Sequence, residues 1–134
     1  PMRRKIAGYE TVCMNRICPD YNLGVSVSVL EFKGCKSYKK IQKMDSLSFV
    51  DSKYYSTITW GKPGSVKVKQ SVELVCMPVR HLETGKNIYM RMKKWYVQGK
   101  ENVYLIDFVS SSISGWNKWL PEMEKMILSL KEID

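Results

Sequence analysis

The chain has 134 residues, 44% of them hydrophobic and 26% charged, which fits a single domain over 1–134 and is too apolar for a disordered tail. No run approaches the roughly 18 to 20 uncharged apolar residues that a membrane-spanning helix needs. Twenty-two Lys and Arg against 13 Asp and Glu give a formal charge of +9, excluding a surface that repels acidic ligands and leaving nucleic acid, anionic lipid or an acidic protein as partner classes.

Elements follow in chain order. Val25, Val27 and Val29 alternate with Ser26, Ser28 and Leu30 ahead of Glu31 and Phe32, a period-2 pattern predicting a strand with one buried face. Tyr9 to Met14 can pair with it across the turn-rich stretch Asn15 to Asn22, making an N-terminal hairpin. Between Lys36 and Tyr55, Ile41, Met44, Leu47 and Phe49/Val50 recur at helical spacing, with Asp45-Ser46 or Ser48 as the break or cap. Val66 to Lys69 alternates and runs into Val72 to Val79, predicting one long strand or two short ones. After the turn Glu83 to Lys86, Ile88 to Val97 alternates with a parity shift near Trp95. The turn Gln98 to Asn102 leads into a strand at Val103 to Val109, so 66–109 reads as an antiparallel meander. Last, Trp116, Trp119/Leu120, Met123, Met126/Ile127 and Leu130 form one apolar stripe of a helix, with Ser114 as N-cap and Pro121 near its first turn. Hairpin, helix, meander, helix is an α+β order.

Enzyme signatures are absent. There is no Gly-x-Gly-x-x-Gly, no Walker loop and no Gly-x-Ser-x-Gly, and His81 is the only histidine. Pro1 has the residue type of the tautomerase base, but nothing after it resembles that family's βαβ repeat. Cys13-x4-Cys18 and Cys76-x4-His81 depart from structural zinc spacing, so neither metal nor cofactor is expected. Cys13, Cys18, Cys35 and Cys76 then form two bridges or stay reduced, and a Cys76/His81 nucleophile-base dyad lacks an identifiable orienting group. Asp107 stands inside an apolar strand; an outward placement is expected, with a buried acid as the alternative.

Charge is unevenly placed. Residues 33–69 carry nine Lys against Asp45 and Asp51, and 86–100 carry five basic residues and no acid, whereas 101–134 holds three Lys against six acids. A basic end is therefore expected, built from Lys36, Lys39, Lys40 and Lys43 together with Arg91, Lys93 and Lys94 on the sheet. Lysine in preference to arginine suits diffuse attraction better than bidentate recognition. Tyr38, Tyr54, Tyr55 and Trp60 could stack on unpaired bases, which keeps a cytosolic nucleic-acid-binding module as the alternative.

Two segments carry a family resemblance: the aromatic strand pair Trp95-Tyr96-Val97-Gln98-Gly99-Lys100-Glu101-Asn102-Val103-Tyr104-Leu105-Ile106-Asp107-Phe108, and the closing Trp116-Asn117-Lys118-Trp119-Leu120-Pro121 through Ser129-Leu130. Over about 25–131 the chain resembles the PsbP-like family, which includes the extrinsic PsbP subunit of photosystem II and a Ran-binding relative; Tyr9 to Asn22 lacks the aromatic, Pro-containing opening strand common there. The resemblance implies an α/β/α sandwich and a non-catalytic accessory module, docking through its basic face on an acidic protein or an anionic surface. It also favours an extracytoplasmic setting after processing, and no catalytic residues travel with it.

Overall fold

The computed structural model describes residues 2–6, 8–63, 67–80 and 82–130. In chain order it contains β1 (Met2–Ile6), β2 (Tyr9–Asp20), β3 (Val25–Lys33), α1 (Tyr38–Ser46), β4 (Tyr55–Gly61), β5 (Val68–Cys76), β6 (Val79–Arg80), β7 (Asn87–Ile88), β8 (Arg91–Gln98), β9 (Asn102–Ser110) and α2 (Ile113–Leu128). Seven strands form one antiparallel sheet in the order β1-β2-β3-β9-β8-β5-β4, and β6 pairs with β7 apart from it. With a helix packed on either face, this is an α+β, α/β/α arrangement.

Alternation sends each strand's residues to two different cores. Val25 and Val27 of β3, Trp95 and Val97 of β8, and Ile106 and Phe108 of β9 meet Trp116, Met123 and Ile127 of α2. From the same strands Phe32, Tyr96, Val103 and Leu105 point the other way, to Ile41 of α1 and Phe49 just beyond it. Lys94 to Val97 are consecutively buried because both faces are covered, which accounts for the parity change near Trp95. The irregularity in that register lies instead on the partner strand, between Val68 and Gln70.

Several boundaries differ from the sequence expectation. Strand β2 continues through the stretch taken for a turn, absorbing it in register shifts between Cys13 and Asn15 and between Ile17 and Asp20. Pairing with β1 ends at Cys13, so Pro19 lies on a free edge where its missing N–H costs no ladder bond. The actual turn is Tyr21 to Gly24, closed by Gly24 at φ +67°. Strands β1 and β4 carry weak alternation and were not anticipated. Helix α1 ends at Ser46, where Asp45-Ser46 breaks the pattern, and Tyr55 begins β4 rather than ending a helix. The strand read over Ile88 to Val97 is divided between β7 and β8, and Val66 lies outside the described residues.

Helix α2 begins one residue after Ser112, not at Ser114. The Ser112 hydroxyl accepts from Gly115 N at 3.0 Å and donates to the Leu23 carbonyl at 2.6 Å, joining the cap to the β2–β3 turn. Gly115 lets the helix sit close: a Cβ there would lie 2.7 Å from Val25 Cγ2 and 2.8 Å from the Leu23 carbonyl. Pro121 falls mid-helix rather than in the first turn; it and Asn117, whose carbonyl it leaves without the usual donor, are both exposed, so water can take that bond. Met126 and Leu130 of the expected apolar stripe are exposed, whereas Trp119 and Leu120 pack at the core margin. Trp119 Nε1 donates to Asp20 at 3.0 Å, which together with Leu23 N and Lys118 holds that carboxyl below its ordinary pKa.

Candidate functional site

The seven basic residues expected to share one face occupy three different environments. Lys36, Lys39, Lys40 and Lys43 are exposed on the outer side of α1 and its approach. Because Ile41 and Met44 turn to the core, a period of about 100° per residue sets Lys39, Lys40, Lys43 and Leu47 within about one 100° sector facing out. Leu47 continues the helical backbone as C-cap at φ −61°, and Val50 N bonds the Ser46 carbonyl at 2.8 Å, so the turn stays attached to the helix end. Leu47 is 78% exposed and Tyr54 75%, with Val50 also exposed. A basic helix thus runs into a turn that exposes Leu47 and Val50 beside Ser48 and Asp51 and buries Phe49.

Arg91 and Lys93 point to the opposite face, beside α2. Arg91 lies 4.7 Å over the Trp116 ring and pairs with Glu73 at 3.4 Å, while Lys93 bridges Glu73 and Glu124. Their charges are answered within the fold, so they do not extend the α1 face. The cause is strand alternation: neighbours in β8 project to opposite sides, a difference that counting charge along the sequence does not register.

Lys94 faces the α1 side but is buried. Its ammonium stands 3.3 Å from Asp45 of α1 and 3.3 Å from both Asp107 oxygens on β9, and Tyr96 donates to Asp45 at 2.7 Å. Burial pulls the Lys94 pKa down, but Asp107 and Asp45 more than offset it and leave it above the usual lysine value. Burial raises Asp107, with Lys94 opposing and Asp45 adding to the rise. Burial and then Asp45 likewise keep the Tyr96 phenol protonated. Two carboxyl groups thus share one ammonium in this partly buried cluster.

Asp107 is therefore not simply turned to solvent. Its side chain, 25% exposed, forms part of the floor of a groove of about 380 Å³ on the half of the sheet that α1 leaves open. Ser26, Ser28 and Leu30 of β3, Leu105 and Val109 of β9, Thr11 and Cys13 of β2, and Arg4 of β1 line it. Sequence reasoning singled out Asp107 but missed the groove, because Arg4, Ser28 and Asp107 come to line one groove only through sheet order. The alternation of small serines with valines along β3 is the one local signal pointing to it.

The cysteines form no disulfides. Cys35 is buried and donates to the Ser37 carbonyl, Cys18 is exposed, and Cys13 lines the groove. Burial pushes the Cys76 thiol up, away from nucleophilic activation, while His81 and Pro1 lie outside the described residues. Among the described residues no group of three or more His, Cys, Asp or Glu side chains could hold a metal ion. None of their helices is long and apolar enough to cross a membrane.

No protein-family model matches the chain, and no curated protein does. Among solved structures it is similar to PA94 of Pseudomonas aeruginosa, a protein of unknown function, at 8% identity and a TM-score of 0.46, with 99% of this chain and 97% of that one covered.

Proposed function

We propose that this protein is a non-catalytic docking module that lays the outer face of α1 on an anionic membrane surface. The observation that carries the reading is the exposure of Lys39, Lys40 and Lys43 on α1, with Lys36 just before it, together with exposed Leu47 and Val50 in the turn that follows the helix. Lysines near an anionic bilayer each contribute about 1 kcal/mol of attraction. Apolar side chains at the headgroup boundary add burial to that attraction. An accessory role of this kind agrees with the resemblance to the PsbP-like family.

Cosedimentation with vesicles tests it. The chain should pellet with phosphatidylglycerol-containing vesicles at low salt and stay in solution with pure phosphatidylcholine. Lys39→Glu with Lys40→Glu should weaken partitioning at least tenfold, and Leu47→Ser should weaken it at unchanged charge. Equal partitioning by the charge-reversed protein, or tighter binding to single-stranded nucleic acid or an acidic protein than to anionic vesicles, would overturn the reading.

A further inference from the structure

The groove beside α1 is separate from the lysine face and has its own chemistry. Asp45 has two partners, the Tyr96 hydroxyl and Lys94, whereas Asp107, which lines the groove, has Lys94 alone, set against both of its oxygens. Two carboxyl groups at this end thus share one cation. Arg4 stands on the far wall, its place in β1 fixed by pairing with Thr11, whose hydroxyl donates to the Arg4 carbonyl at 2.7 Å. No ion pair involves the Arg4 guanidinium among the described residues. Between these opposite charges lie Leu30, Leu105 and Val109, with the partly exposed hydroxyl-bearing Ser26 and Ser28 alongside.

The register sets the distance between the two ends. Arg4 aligns through Thr11 and Phe32 with Val103, three strands across and four residues along β9 from Asp107. At about 4.8 Å per strand and about 3.4 Å per residue, the two Cα atoms are about 20 Å apart, so a ligand that meets both ends must be elongated.

From these features we infer that the groove binds a small elongated zwitterion: an ammonium on Asp107, a carboxylate on Arg4, and an apolar body over Leu30, Leu105 and Val109. Its volume falls within the range of small-ligand sites. An incoming ammonium would supply the second cation that the cluster of Asp45, Lys94 and Asp107 lacks. An ω-amino acid and a short peptide share this chemistry and differ only in the body that joins the charges.

Titration calorimetry on the full chain, with 8-aminooctanoate, octylamine, N-acetyl-8-aminooctanoate and trialanine as probes, distinguishes these cases. 8-Aminooctanoate should bind saturably and its N-acetyl form at least tenfold more weakly. Arg4→Gln should weaken 8-aminooctanoate at least tenfold and leave octylamine unchanged. Tighter binding of trialanine than of 8-aminooctanoate would uphold the site and identify a peptide as its occupant. Asp107→Asn should abolish ammonium binding. Since that change also touches the buried cluster, Ser28→Leu serves as a second variant: it fills the groove, keeps every charge, and should remove binding while the melting temperature holds. Absence of saturable binding by every probe, or undiminished binding by Ser28→Leu, would overturn the inference, and neither result bears on vesicle docking.

Discussion

The two faces of the central sheet are covered in different ways. On one, the 16-residue α2 packs Trp116, Met123 and Ile127 over Trp95, Ile106 and Phe108, and the charges at its border, Arg91, Lys93, Glu73 and Glu124, pair with one another. On the other, the nine-residue α1 covers only part of the sheet, spans a buried ion cluster and turns its lysines and Leu47 outward. One layer spends its side chains on packing. The other leaves charge, apolar surface and an open groove available, so binding chemistry is to be sought there and stability on the α2 side.

If that contrast holds, the largest loss should come from the α2 layer. Phe108→Ala removes a fully buried ring packed 5.4 Å from Trp116 and should lower unfolding stability by about 3 to 5 kcal/mol in urea titrations. Next comes the one place where the α1 side carries a buried charge. Lys94→Ala leaves Asp45 and Asp107 without their shared cation and should cost about 3 kcal/mol, and adding Asp107→Asn should recover part of it; purely additive losses would show that the three groups do not act together.

Alkaline pH probes the same cluster without truncating the carboxylates. Because the folded Lys94 pKa lies above the ordinary 10.5, its contribution is complete below 10.5 and is lost as pH rises through the folded value. The stability advantage of the parent over Lys94→Met should therefore shrink at high pH; a constant difference would contradict the assigned pairing. Gly115→Ala should follow at about 1 to 3 kcal/mol, since its methyl would press on Val25 and Leu23 and lift α2 from the sheet. Smallest on stability, within about 0.5 kcal/mol, should be Lys39→Glu with Lys40→Glu, because both side chains are exposed. A larger loss on thermal unfolding would mean that the α1 lysines also support the fold.

The strands with strong alternation, β3, β8 and β9, and the stripe of α2 were legible because period-2 and period-3.6 patterns report burial directly. Strands β1 and β4 were not, since edge strands bury few residues and leave little pattern. Of the basic residues, Lys39, Lys40 and Lys43 were legible as a helix-borne group from the spacing of Ile41 and Met44. Arg91, Lys93 and Lys94 were not, because adjacent residues of a strand face opposite layers and the acids that answer them, Glu73, Glu124, Asp45 and Asp107, come from elsewhere in the chain. The groove lay beyond sequence reading altogether, since it exists only where β1, β2, β3 and β9 assemble side by side.

That assembly has a consequence for how the molecule is made. Strand β9 is the only link in the sheet between β1-β2-β3 on one side and β8-β5-β4 on the other, and it lies at Asn102–Ser110. Until those residues have left the ribosome, β3 and β8 each present an unsatisfied edge, and the nascent chain holds two half-sheets that cannot complete either core. Pairing of β3 with β9 joins residues more than 60 positions apart, so closure waits on long-range encounter and should be the slow step of folding. During that interval the exposed strand edges are where a chaperone, or another copy of the same chain, would take hold.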